Sequence, residues 1–298
     1  MSLIENDTQV DMSTAGLVGE QHRKVDSYYR ATDFDYRTIW RSHRNRARHF
    51  GFHYRGWLDH HRAVDRASAN LADAGGIEAG TRVLDCGCGL GGTALWLGRN
   101  RGAQVTGIDL LAYQIASANA VARRSGCADK VSFVCGDATQ TGFPDASFDV
   151  ILMQEALCHL PCKAAFYREA YRLLAPGGRL VVAEYMLRDG TTSPREADIV
   201  RRWCAGWAMP ELWTSKEHAE AAGSCGFGTV EIHDESPAVE ASLRRLHRFC
   251  LLLGPLNAAM HALGVRSALT QANIEASRLQ YEAFRDGLWI YGKLVARR

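Results

Sequence analysis

Between Thr81 and Tyr185 the chain alternates short apolar runs with helix-length amphipathic stretches, and that rhythm leaves few folds open. TRVLDCG is the first apolar run, GLGGTALWLGRN the helix after it, and QVTGIDL the second run. LAYQIASANAVARRSG is then helical, and KVSFVCGD and SFDVILMQ supply two more strands. CKAAFYREAYRLL is a further helix, and GRLVVAEY is the fifth strand. Strands separated by helices of this length pair in parallel, with helices covering both faces of the sheet. Right-handed crossovers then place a ligand site at the carboxyl ends of the strands.

The flanks are less regular. Residues 1–20 are polar and acidic and are expected to form a disordered arm, followed by a helical substrate or lid segment over 21–74. The main domain is expected over 75–298, with helical insertions at about 186–212 and 238–285; Trp203, Trp207 and Trp213 lie in or just after the first of these. FGTVEIHD reads as a sixth strand and GLWIYGKLVARR as a seventh that closes the sheet at an edge. The expected fold is therefore α/β, a Rossmann-like and mostly parallel seven-stranded sheet with helices on both faces. N-terminal helices and a helical cover before the last strand complete it.

Composition bounds the function classes. The 298 residues carry a formal net charge of +2, so overall charge gives no reason to expect nucleic acid as a partner, and there is no separate recognition module. The nine cysteines have no regular spacing, which argues for free thiols in a reducing cytoplasm rather than a disulfide framework. No apolar run is as long as a membrane span, so no stable membrane anchor is expected. A small molecule is the expected partner, and an exposed N-terminal helical arm would suit a homo-oligomer.

The chemistry concentrates in Asp85-Cys86-Gly87-Cys88-Gly89-Leu90-Gly91-Gly92, a glycine-rich turn between strand and helix. Glycines there let the backbone turn tightly and a ligand approach closely. The motif alone suits a dinucleotide as well as S-adenosylmethionine. Asp109, ending the second strand, can accept hydrogen bonds from ribose hydroxyls in either case. Asp137, after the third strand, can hold an adenine amine or cap the residues that follow. Asp85 discriminates: a carboxylate before the glycines is poorly placed for a pyrophosphate and well placed for a sulfonium and an amino group.

VLDCGCGLGG (83–92), VTGIDL (105–110), GDATQTGFPDASFDVILMQEALCHL (136–160) and the LLAPGG corner (173–178) together resemble the class I S-adenosylmethionine-dependent methyltransferases. The resemblance implies that Gly87 and Gly89, with Asp85, contact the methionine part of the cofactor. It also implies that Asp109 binds ribose, that Asp137 and Ala138 flank adenine, and that Gln114 touches the cofactor from the second helix. Leu110 and Gln154 complete the candidate cofactor set.

That family methylates N, O, S and C, so the acceptor must be argued from the site. Glu155 and His159, after the fourth strand, are candidates for proton handling, with helix capping or cofactor shielding as the plainer readings. Glu184, ending the fifth strand, is a candidate wall residue. Residues 21–66 hold eleven Arg or Lys against five Asp or Glu. Within them, residues 28–54 interleave tyrosines and Trp40 with arginines. Arg37, Arg41 and Arg44 can share one helix face and clamp a phosphate, or simply face water. This segment, with HFGFHY and the glutamate after the fourth strand, looks like the branch containing tocopherol, sterol and prenyl diphosphate C-methyltransferases. The likeness implies methylation of an alkene of isopentenyl or geranyl diphosphate, a carbocation, and proton loss to Glu155, with Mg²⁺ assisting at the diphosphate. Tyr28, Trp40, Arg41, Arg44, His49 and Tyr54 are then the candidates for holding the acceptor. An N-, O- or C-methyltransferase acting on a neutral or aromatic metabolite is the alternative.

Overall fold

The computed structural model describes residues 7–40, 42–53, 59–190 and 193–298. Five parallel strands form the sheet's framework: β1 (Arg82–Cys86), β2 (Gln104–Asp109), β3 (Val131–Cys135), β4 (Phe148–Gln154) and β5 (Leu174–Leu187). β1 and β4 are buried along almost their whole length, as strands covered on both faces must be. The helices α4 (Gly92–Asn100), α5 (Ala112–Arg124) and α6 (Lys163–Leu173) make the crossovers. LAPGG is a bulge in the β4–β5 pairing, which jumps from Phe148↔Leu174 to Val150↔Arg179. Gly178 packs there so closely that a Cβ would lie 2.8 Å from the Ala175 carbonyl oxygen.

The sheet order is β3-β2-β1-β4-β5-β7-β6, with β6 at Thr229–Asp234 and β7 at Trp289–Arg297. The last strand is therefore not at an edge. It inserts antiparallel between β5 and β6, pairing along its whole length with β5 and from Gly292 to Arg297 with β6. A buried apolar strand looks the same in sequence at either place, and only the long-range register Tyr185↔Tyr291 fixes which one it takes. The order reverses between β1 and β4, which makes the cleft at their carboxyl ends the switch point where such sheets bind ligands.

A helical cover stands over that cleft. α1 (Asp7–Thr38) begins inside the stretch expected to be a disordered arm. Its buried positions from Gln21 onward, Gln21, Val25, Tyr28, Thr32 and Asp35, alternate at spacings of four and three along one face. Three of these five are polar, so the stripe carried no hydrophobic signature. The chain breaks after Thr38 and resumes as the short α2 (Ser42–Asn45) and α3 (His60–Gly75). α7 (Pro194–Gly206) and α8 (Ser215–Ser224) each open on a capping box, Ser193 with Glu196 and Thr214 with Glu217. α9 (Ser236–Ala262) and α10 (Ala268–Arg285) form a hairpin. α10 lies against α7 closely enough that a Cβ on Gly206 would meet the Ala272 carbonyl oxygen at 2.6 Å. Tyr28 on α1 donates to Asn273 on α10 (3.0 Å), joining the two ends of the chain over the sheet.

Candidate active site

The main cavity opens at the switch point and is lined by both halves of the molecule. From the sheet come Asp85, Gly87, Gly89, Asp109, Leu110, Gln114, Ala138 and Gln154. The glycine loop works through its backbone. Gly87 and Gly89 have φ of +68° and +54°, and a Cβ on Gly87 would sit 2.4 Å from that of Ala156. Gly87→Ala is therefore expected to destabilise the fold by about 1–3 kcal/mol and to weaken binding of S-adenosylhomocysteine. Thermal melting and titration calorimetry check both effects.

Asp109 ties the loop down, accepting from the Gly89 N–H at Oδ2 and the Leu111 N–H at Oδ1, both at 2.9 Å. Asp137 is placed differently. It does not line the cavity; its Oδ1 accepts from the backbone and hydroxyl of Thr139, both at 2.7 Å, and its Oδ2 lies 3.5 Å from His22 Nε2. Gly136 and Ala138 on either side do reach the cavity.

Two buried polar atoms in this half lack hydrogen-bond partners: the acceptor Asp85 Oδ2 and the donor Gln154 Nε2. Their residues line the same cavity, at the ends of neighbouring strands β1 and β4. A buried carboxylate oxygen and a buried amide N–H left open complement an ammonium and a carboxylate, the two charges of an amino-acid end. These residues thus fit the methionine end of S-adenosylmethionine. Burial pushes the Asp85 carboxyl up to about 7, against the pull of the Ala94 N–H, and nearby Asp109 adds to the rise.

Glu155 stands beside this region with a left-handed backbone, φ +50°, uncommon for a residue with a side chain. Its carboxylate is held from three sides. Oε1 accepts from the Phe50 N–H (2.8 Å) and the Tyr291 hydroxyl (2.7 Å), and Oε2 from the Tyr185 hydroxyl. Burial raises its pKa to about 7, opposed by those three donors, and Glu184 raises it further. Phe50 meets the rings of Tyr185 and Tyr291 edge-on at 6.1 and 6.5 Å, and Trp207 meets Tyr185 at 5.9 Å. The carboxylate therefore stands among aromatic rings.

His159 also lines the cavity. Its Nδ1 faces the Ala208 carbonyl at 3.3 Å, so Nδ1 carries the proton and Nε2 accepts from the Tyr29 hydroxyl at 3.1 Å. Burial lowers its pKa to about 4, which leaves it neutral near pH 7. His49 is likewise neutral, its pKa lowered by burial to about 4, with Nδ1 bonded to the Phe50 carbonyl.

Of the other acceptor candidates, Tyr28, Trp40 and His49 line the cavity. Glu184 does not: it is buried behind the wall, where its carboxylate accepts from the Cys158 and Tyr185 backbone N–H groups, both at 2.9 Å. Arg41 and Tyr54 lie outside the described residues. Arg37 and Arg44 are exposed and absent from the cavity wall, because the helix ends at Thr38 and they share no continuous face. Arg46 and Arg48 take their place at the wall. Arg46 donates to the Leu90 carbonyl (2.8 Å) and Ser117 Oγ (2.9 Å). Arg48 donates to Asp33 (2.6 Å) with its guanidinium carbon 5.1 and 4.9 Å from the Tyr29 and Tyr36 ring centres. Among the described residues no group of three His, Cys, Asp or Glu side chains is arranged to hold a metal ion.

Residues 84–182 match the family described as a methyltransferase domain. A sterol 24-C-methyltransferase of Eremothecium gossypii is 34% identical over 222 residues, 74% of this chain and 58% of that protein. "Probable tocopherol O-methyltransferase, chloroplastic" of Oryza sativa subsp. japonica is 31% identical over 215 residues, 67% of this chain and 59% of that protein. The chain spans about three-fifths of the length of these curated relatives. Among solved structures, the cyclase SpnF superposes with a TM-score of 0.76 at 25% identity, covering 93% of this chain and 96% of that one. Geranyl diphosphate C-methyltransferase from Streptomyces coelicolor A3(2) superposes at 0.69 and 21% identity, covering 93% and 98%; at that identity the likeness is one of fold.

Proposed function

From the premise that the chain carries a class I S-adenosylmethionine-dependent methyltransferase domain, we propose that it methylates an alkene carbon of an isoprenoid, a short prenyl diphosphate such as isopentenyl or geranyl diphosphate. The observation that carries this reading is the Glu155 carboxylate, fixed by three donors in an aromatic wall of the cavity. The named activities of the sterol 24-C-methyltransferase relative and the geranyl diphosphate C-methyltransferase neighbour support methyl transfer to carbon. Arg46 and Arg48 support an acidic head group, since both line that cavity.

The cofactor supplies an electrophilic methyl group. Asp85 and Gln154 would hold its amino-acid end, and Asp109, with its hydrogen-bonded neighbours, would fix the ribose edge. An alkene needs no deprotonation before it attacks, so the protein's first task is alignment and exclusion of water. The rings of Phe50, Tyr185 and Trp207 then face the positive charge left on the acceptor. Glu155 takes the proton from the carbon beside that charge, and a double bond re-forms. The residues described do not build a metal cage, so no step is assigned to Mg²⁺.

A second reading rests on the Tyr29–His159 hydrogen bond. A neutral imidazole accepting from a phenol at the cavity wall could serve as base for a hydroxyl or amine of a neutral metabolite. An acceptor screen with methyl-labelled S-adenosylmethionine, with and without Mg²⁺, separates the two. Label on carbon in geranyl or isopentenyl diphosphate, with the double bond moved or restored, is the expected product. Equal turnover of the neutral prenyl alcohol or of a sterol would remove the diphosphate, and label on oxygen or nitrogen alone would remove the alkene.

A further inference from the structure

Seven of the ten exposed large hydrophobic side chains among the described residues lie between positions 251 and 269, at the α9–α10 tip. Leu251, Leu252, Leu256, Leu263, Val265 and Leu269 all stand in solvent there, with Leu252 75% and Leu263 79% exposed. An apolar cluster of this kind on a soluble domain marks a contact surface. The tip is a built structure. Asn257 donates to Gln271 (2.6 Å) and accepts from Arg266 (2.8 Å), whose guanidinium also binds Asp35 on α1.

Its charge is one-sided. Residues 241–274 contain no Asp or Glu and four arginines. Arg244, Arg248, Leu252 and Leu256 follow each other at four-residue spacing, so one stripe of α9 runs from two exposed arginines to two exposed leucines. Arg248 and Leu256 are about 12 Å apart along the helix axis. Leucines ahead of arginines by that distance match acyl chains below a layer of phosphates.

We propose that the α9–α10 tip docks on the surface of an anionic lipid bilayer. No helix among the described residues is long and apolar enough to cross a membrane, so the contact is peripheral. A second copy of the chain fits the face less well: Arg244 is paired with Glu240, and symmetric pairing would set Arg248 against its own copy in a stretch, 241–274, that itself holds no acidic residue. Leu253 connects the face to the cavity, since it is exposed and also lines the cavity wall. The cavity that holds Glu155 therefore reaches the docking face. The docking itself does not rest on the isoprenoid reading.

Flotation of the full chain with vesicles tests it, with no acceptor present. The protein is expected to float with phosphatidylcholine vesicles containing phosphatidylglycerol, less with phosphatidylcholine alone, and less as salt is raised. The triple variant Leu252→Glu/Leu256→Glu/Leu263→Glu should lose flotation by about tenfold or more while still binding S-adenosylhomocysteine as the parent does. Failure of the parent to float, or equal flotation of the variant, overturns the proposal. So does a parent dimer that the triple variant converts to monomer in light scattering, since a second copy would then cover the face. Methyl transfer to a soluble acceptor is read separately, and its loss would strike the activity rather than the docking.

Discussion

Glu155→Gln is expected to lower turnover by about a hundredfold to ten-thousandfold while S-adenosylhomocysteine still binds. The substitution keeps the side chain's shape but removes the group proposed to take the acceptor's proton. It also sets an amide N–H against a donor where the carboxylate accepts from Tyr185, Tyr291 and the Phe50 backbone. The pH profile gives a second readout. With its pKa raised to about 7, mainly by burial, Glu155 is protonated and idle below that value. Turnover of the parent should rise with pH through about 7 and then level. Because the Tyr185 hydrogen bond lowers that pKa, Tyr185→Phe should carry the midpoint to higher pH. Product mass and initial rates across pH measure both effects, and a Glu155→Gln protein with the parent's rate and profile would assign the proton elsewhere.

Asp85→Asn is expected to weaken S-adenosylhomocysteine binding by about tenfold to a hundredfold and to make the empty protein more stable at pH 8. The first effect is the lost charge-assisted hydrogen bond to the ligand's ammonium, on the order of 1.5–3 kcal/mol. The second follows from burial. The carboxyl's pKa is raised to about 7 in the fold, above its unfolded value, so its favourable contribution belongs to the protonated form. That contribution is complete below about pH 4 and is lost as pH rises through about 7. The same rise leaves a buried charge that the ligand's ammonium can neutralise, so binding to the parent should tighten over the interval in which the empty protein loses stability. Calorimetry and thermal melting at pH 5.5 and 8 test the opposed slopes, both of which should flatten in Asp85→Asn. A variant that bound S-adenosylhomocysteine like the parent would remove Asp85 from the amino-acid end of the ligand.

The sheet and its glycine loop were legible because their signals are local. Asp85, Gly87, Gly89 and Asp109 sit at strand ends that periodicity alone marks out, and the structure gathers them in one cavity. The acceptor side was less legible, because its residues meet through distant pairings. Tyr185 and Tyr291 are neighbours only through the β5–β7 register, and nothing near either in sequence indicates that both hydroxyls reach Glu155. The spacing of Arg37, Arg41 and Arg44 gives a shared face only on a continuous helix, and α1 ends at Thr38. Arg46 and Arg48 sit in the same basic run, but their approach to the cavity depends on backbone outside any helix, with φ of +57° at Arg46. Glu184 resembles a wall residue because the sequence ends a strand beside it; its carboxylate is instead occupied with the Cys158 N–H after β4 and the Tyr185 N–H in β5.

The segment from Asn45 to Phe50 does two jobs with one stretch of backbone. The carbonyls of Asn45 and Arg46 lie so near Gly92 that a Cβ there would fall within 2.8 Å of both, and Arg46 grips the Leu90 carbonyl, so the segment roofs the loop proposed to receive the methyl donor. A few residues on, its Phe50 N–H steadies the carboxylate assigned to proton removal. If the roof lifts to exchange spent donor for fresh, the base loses one of its supports in the same movement. Under the proposed mechanism, readiness for chemistry and openness to solvent thus exclude each other, a safety interlock for a cationic intermediate that water would destroy.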